Sequence, residues 1–215
     1  MTEIVSVERD TALTARSSFE RTVLAGGIAL FPADGVYGLA CDPARAGAIE
    51  RIHALKGRDR EKPSAVMFFS PLAMRELIAT LGPRTRDALA VLLPGAVTLV
   101  VANPAHRYPL ACGADPERLG VRLIEGPLAG VRCAVFQTSA NPSGKPPPAR
   151  FDGVDPAIVA AADLAIDGGE LTGLASTVID LTAIERAGTP VVLRDGALSS
   201  VVVSGLLASL SSQAQ

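Results

Sequence analysis

The chain has 215 residues, 48% of them hydrophobic and 20% charged, with a formal net charge of −2. That length fits one large domain, and the composition supplies a sizeable core and argues against a disordered chain. The near-neutral charge gives no whole-molecule signal for nucleic acid, and the absence of Trp argues against a stacking platform for single strands.

In chain order, a short strand is expected over 4–7. Ala12, Ala15, Phe19 and Val23 then fall on one helical face, closed by Gly26-Gly27. An apolar strand over 28–31 runs into Pro32-Ala-Asp-Gly-Val-Tyr-Gly-Leu39, which reads as strand, tight turn at Asp34-Gly35 and second strand. Asp42-Pro43 reads as a cap followed by a first-turn proline, and Ala48, Ile49, Ile52 and Leu55 mark a helix ending near Lys56-Gly57. After the charged stretch from Lys56 to Lys62, a strand is expected over 65–69 and a helix opened by Ser70-Pro71. A further helix over 84–93 stops at Pro94-Gly95. Strands follow over 97–101 and 119–124, separated by a polar loop over 103–117. Residues 128–132 are too few for a normal helix. The rest reads as a strand over 133–136, a loop over 138–150, a short helix over 156–162, a strand over 164–166 and a turn at Asp167-Gly168-Gly169. Strands over 177–181 and 190–194 and a helix over 202–210 with a polar tail complete the chain. Interleaved strands and helices, with several strands in succession, imply an α/β fold built on a twisted mixed β-sheet with flanking helices. No linker calls for a second domain, so residues 1–215 are expected to form one.

Cys41, Cys112 and Cys133 are odd in number, far apart and remote from His53 and His106. Free buried thiols in a reducing compartment are expected rather than zinc. The N-terminus lacks a basic-then-apolar signal and no apolar run is long enough to span a bilayer, so the expected location is cytoplasmic.

The stretch that organises the chain is Phe136-Gln-Thr-Ser-Ala-Asn-Pro-Ser-Gly144. A buried strand runs into a loop of small hydroxyls, an amide and a glycine. Such a loop can present N–H groups to phosphate or carboxylate oxygens, or it can be a plain turn.

Taken with Pro32–Leu39, Lys56-Gly-Arg58, Leu93-Pro-Gly-Ala-Val-Thr-Leu-Val100, Gly120-Val-Arg122, Ser176-Thr-Val-Ile-Asp180 and Val192-Leu-Arg-Asp-Gly196, this loop resembles the motif series of the YrdC/YciO-type family, which includes the threonylcarbamoyl-AMP synthases. The resemblance spans about residues 28–196. The chain ends soon after the last motif and so looks like the single-domain form. The resemblance implies a YrdC-like fold with a concave binding face that takes nucleotide and, in some members, double-stranded RNA. It implies a nucleotidyltransferase that joins L-threonine, bicarbonate and ATP, with Mg²⁺, into threonylcarbamoyl-AMP. That product serves the threonylcarbamoyladenosine (t6A) modification of tRNA.

By the same resemblance Lys56, Arg58, Ser139, Asn141 and Arg194 would bind nucleotide, while Arg122 and Ser176 would bind the amino acid at positions shared with Gly35 and Met67. No covalent nucleophile is expected, because attack on an α-phosphate demands positioning and charge neutralisation. Asp34 is a candidate metal ligand. Tyr37 reads equally as core or as cleft wall, and Arg51, Lys56, Arg58, Arg60 and Lys62 offer a basic patch diluted by Glu50, Asp59 and Glu61. The departures gather on the amino-acid side, where Gly35 stands for a threonine and Met67 for a histidine. They imply weak threonine turnover, shallow selectivity and a gain from the double substitution Gly35→Thr with Met67→His. The alternative reading is a divergent YciO-like protein that binds nucleotide or double-stranded RNA without making this product.

Overall fold

The computed structural model describes residues 1–8 and 10–213. Among them, ten strands form one sheet in the order β1 (Glu3–Ser6), β8 (Leu164–Asp167), β2 (Ala29–Pro32), β3 (Tyr37–Cys41), β7 (Val135–Ser139), β4 (Ala65–Phe68), β6 (Arg118–Leu123), β5 (Val97–Ala102), β9 (Thr177–Asp180) and β10 (Val191–Arg194). β4 and β6 pair in parallel, as do β5 and β9, while β2–β3, β3–β7 and β5–β6 are antiparallel. The mixed α/β sheet expected from the sequence is therefore the observed one.

The period of two along each strand decides which face is buried. Val66, Phe68, Leu119, Val121 and Phe136 belong to a large cluster with apolar residues of α2 (Ala46–Lys56), α3 (Pro71–Ile78), α4 (Pro83–Leu92) and α5 (Pro156–Ala161). The opposite face is divided. At one end α1 (Ala12–Leu24) packs Ala15, Phe19 and Val23 onto Ala29, Phe31 and Met67. Phe19 meets Phe31 and Phe69 edge-on, with ring centroids 5.2 and 5.3 Å away. Burying each such ring stabilises the fold by roughly 1.5–3 kcal/mol. Beyond α1 the same face, carrying Ala65, Thr98, Gly120, Arg122 and Gln137, borders an open cavity. The helix that stops short of the sheet's far half thus creates the concave surface.

Several local expectations change. Asp42-Pro43 does not open α2: the Asp42 carboxylate accepts from Ala44 N–H at 2.8 Å in a turn of its own, and the helix begins at Ala46. Its other end is as expected, with Gly57 at φ 57° in the left-handed cap position. Thr138 and Ser139 lie in β7 rather than in the loop, because β3 pairs with them through Leu39 and Gly38. Residues 128–132 form turns and irregular backbone. The short helix α6 (Ile184–Ala187) lacked a sequence signal, and α7 (Ser200–Gln213) takes in part of the expected polar tail, whose last two residues lie outside the described ones.

Candidate functional site

The cavity over the open half of the sheet has a volume of about 610 Å³. Among the described residues, five cations line it, namely Arg58, Arg118, Arg122, Lys145 and Arg194, against two carboxylates, Glu61 and Asp115. In a chain of net charge −2 this is a local reversal of sign, suited to an anionic ligand.

Arg122 stands on β6, only 5% exposed. Its guanidinium donates to Gln137 Oε1 and to Asp34 Oδ2, both at 3.3 Å, while its Nε has no partner among the described residues. Burial draws its pKa down to about 10, and the Asp34 charge opposes that shift. Burial likewise raises the Asp34 pKa, against the pull of Arg122. Asp34 holds φ at 80°, in the left-handed region that aspartate tolerates better than most residues. The carboxylate expected as a metal ligand is instead the partner of Arg122.

Lys56 departs from its expected place. It is 3% exposed and does not line the cavity. Its ammonium donates to the carbonyls of Ser139 and Asn141, the latter at 2.5 Å, and reaches Asn141 Oδ1 at 3.5 Å. Its own carbonyl accepts from Ser143 N–H at 2.7 Å. Lys56 is therefore tied to the loop, its donors engaged by the backbone oxygens of Ser139 and Asn141. Asn141 continues this bracing, giving its amide protons to the carbonyls of Pro142 and Lys145 at 3.0 and 2.6 Å. Ser139 and Asn141 both line the cavity.

Arg58 follows the Gly57 cap and lines the cavity, with one amino group tied to Pro63 O at 2.7 Å. On the opposite wall, Ser176 Oγ lies 2.8 Å from Thr98 Oγ1, and Arg194 donates to Ser176 O at 2.7 Å. Thus Arg58, Arg122, Ser139, Asn141, Ser176, Arg194 and Gly35 share one cavity. Met67 does not join them. It pairs with Arg122 across β4 and β6, but its side chain is fully buried in the cluster beneath α1. Tyr37 belongs to the core: it is 0% exposed and its hydroxyl donates to Gly169 O at 2.8 Å.

Arg118, Lys145 and Gln137 are cavity residues that the sequence reading did not single out. Arg118 lies on the same face of β6 as Arg122, hidden because the strand was started one residue late. It pairs with Asp180 at 2.7 Å. Lys145, directly after Gly144, was readable as a Gly-Lys step closing the loop. Gln137 lies two residues before Ser139 on β7 and so shares its face. The basic patch is dispersed: Arg51 pairs with Asp163, Arg60 with Glu50, and Lys56 is buried.

No helix among the described residues is long and apolar enough to cross a membrane.

The family model Sua5/YciO/YrdC, described as telomere recombination, matches residues 21–196. A protein of Xanthomonas euvesicatoria named threonylcarbamoyl-AMP synthase is 31% identical over 202 residues, covering 91% of this chain and 100% of its own. One of the same name from Nitrosococcus oceani is 36% identical over 132 residues, 59% of this chain and 71% of its own. Among solved structures, P. abyssi Sua5 complexed with L-threonine superimposes with a TM-score of 0.80 at 27% identity over 96% of this chain. This chain spans 60% of that longer one. E. coli YciO, at 21% identity, shares the fold with a TM-score of 0.74 over 93% of this chain and 97% of its own.

Proposed function

The chain belongs to the Sua5/YciO/YrdC family, and on that basis we propose that it is a threonylcarbamoyl-AMP synthase acting as one domain in the cytoplasm. In the reaction, the threonine amine and bicarbonate condense to a carbamate with loss of water. A carbamate oxygen then attacks the α-phosphorus of ATP, and the bond to pyrophosphate breaks. The product feeds threonylcarbamoyladenosine formation on tRNA.

The single observation that carries this reading is the cation-lined cavity over the open sheet face, with Arg122 at its floor. Arg122 is placed to hold the amino-acid carboxylate, since a guanidinium offers a planar fork that matches it. Arg58, Lys145 and Arg194 are placed to neutralise phosphate charge, which is the main demand of phosphoryl and nucleotidyl transfer. Ser139 and Asn141 shape the nucleotide side, with Lys56 fixing their loop. Ser176 and Thr98 offer neutral hydroxyls on the opposite wall.

Magnesium, when it accompanies the triphosphate, offsets phosphate charge. Asp34 is engaged by Arg122, and among the described residues no group of three His, Cys, Asp or Glu side chains converges.

The test is pyrophosphate release from ATP by the purified chain, with threonine and bicarbonate each omitted in turn. Dependence on both supports a synthase. Nucleotide binding without such turnover marks the alternative, a YciO-like binding protein. The paired state of Asp34 and Arg122 keeps that alternative in view, because a carboxylate already stands where the substrate's would go.

A further inference from the structure

Gln137 stands on β7 in the floor of the cavity and is only 6% exposed. Its neighbours across the sheet are small. Ala65 on β4 pairs with it, Gly120 on β6 pairs with Ala65, and Val100 on β5 pairs with Gly120. All of these line the cavity. A methyl group and a hydrogen are thus all that rise from the floor between Gln137 and Val100. Arg122, two residues beyond Gly120, shares this face and borders the bare patch.

The orientation of the Gln137 amide follows from its partner. A guanidinium only donates, so the amide oxygen is the atom that faces Arg122, and it accepts from Nη1 at 3.3 Å. The amide nitrogen is then turned away from Arg122. It lies beside Gly38 on β3, where a Cβ would stand 2.9 Å from Gln137 Nε2. Neither N–H of that nitrogen has an acceptor among the described residues. In a side chain this buried, donors without an acceptor mark a place for one.

We propose that Gln137 binds bicarbonate and then the carbamate made from it, with Nε2 donating to an oxygen of the one-carbon acid as it lies over Ala65 and Gly120. This rests on the synthase reading above. Two anionic groups must be told apart in that reaction. The amino-acid carboxylate keeps its charge throughout and suits the guanidinium of Arg122. The one-carbon acid does not keep its charge. The neutral amine bonds to the carbon of bicarbonate, water leaves, and a carbamate oxygen then gives an electron pair to the α-phosphorus as the bond to pyrophosphate breaks. A full positive charge against that oxygen would stabilise the ground state and hold back the attack, whereas a neutral amide orients the group and releases it. A small planar acid also fits a floor bare of side chains. Because the oxygen of the same amide holds Arg122, Gln137 sets the amino acid and the one-carbon acid side by side, which is the geometry that carbamate formation needs.

The test is pyrophosphate release by the full chain in carbon-dioxide-depleted buffer, with bicarbonate and threonine titrated separately and AMP affinity measured by calorimetry. Gln137→Met, which keeps the length of the side chain and removes its donors, is expected to raise the bicarbonate KM about tenfold or more, with the threonine KM and AMP affinity within about threefold of wild type. Gly120→Ala covers the bare floor. Its Cβ would make ordinary contacts, 3.4 Å from Ser64 O and 3.5 Å from Ala65 Cα, so the fold should hold while the bicarbonate KM rises several-fold. A bicarbonate KM unchanged in either variant, or a loss that falls on the threonine KM instead, overturns the inference and leaves the synthase reading intact. Wild-type turnover that does not need bicarbonate overturns both.

Discussion

The Lys56 ammonium sits 2.5 Å from the Asn141 carbonyl oxygen, and Lys56 itself does not line the cavity. A motif lysine that was expected to meet phosphate is thus a brace for the residues that line the site. If it contacted phosphate, removing it would weaken ATP far more than adenosine. As a brace, it should weaken both alike. Lys56→Met is expected to reduce affinity for ATP and adenosine by the same factor, on the order of 1–2 kcal/mol, as the freed carbonyls lose their donors. Parallel calorimetric titrations of the two ligands decide between the roles.

The same residue carries a pH signature. Burial, reinforced by the Arg58 charge, draws the Lys56 pKa from 10.5 down to about 8. Between those values the unfolded chain binds the proton and the folded chain releases it. The contribution of this group to stability therefore grows as pH rises from about 8 to 10.5 and is lost as pH falls through about 8. The stability difference between wild type and Lys56→Met, followed by urea denaturation across this window, should move in that direction. A difference independent of pH would show that the lysine is not desolvated.

Asp34 and a substrate carboxylate compete for the Arg122 fork. Asp34→Asn removes the competitor's charge while keeping a similar shape, and should lower the threonine KM by several-fold, about 1 kcal/mol. Arg122→Ala should do the opposite to KM and cost about 1–2 kcal/mol of stability, because Gln137 and a carboxylate that is one-third exposed each lose a partner. Steady-state kinetics and thermal melts report the two effects separately.

Glu185 offers a check on the fold that is remote from the site. Its carboxylate accepts from Thr85 N–H and Thr85 Oγ1, each at 2.8 Å, and so caps α4 from another element. The α4 N-cap residue, Gly82, has no side chain of its own, and a Cβ there would overlap this carboxylate. Although burial raises the Glu185 pKa, the bonds from Thr85 and Arg84 outweigh it and the net shift is downward. The stabilisation is thus present above the ordinary 4.5 and lost as pH falls through the lower folded value. Glu185→Ala should cost about 1 kcal/mol at neutral pH and converge with wild type in acid.

Much of the fold was legible because its signals are local and periodic. The α1 face of Ala15, Phe19 and Val23, the Gly57 cap, and the apolar runs that became β4 and β6 all follow from the sequence pattern, whereas the end of β7 was taken for loop. The site was legible where a motif sets the backbone, as at Arg122 and the 139–141 loop. What could not be read is which side of a loop a long side chain takes. Lys56 and Arg58 are two residues apart, yet one braces and the other lines the cavity. Nor could sequence show that the space beside Gly35 is filled by a segment more than a hundred residues away, or that Met67 lies beneath α1. These are tertiary facts, and they reverse the expected rescue. Gly35→Thr with Met67→His should destabilise the chain by about 2–4 kcal/mol and lower turnover, as overpacking and a buried imidazole replace a close-packed wall.

The most direct measurement is amino-acid-dependent and bicarbonate-dependent release of pyrophosphate from ATP by the purified chain, with mass detection of the adenylate formed. The expected result is turnover that requires both threonine and bicarbonate and is abolished in Arg122→Ala. Pyrophosphate release that ignores threonine, or ATP binding with no threonylcarbamoyl-AMP formed, would contradict a synthase built on this cavity.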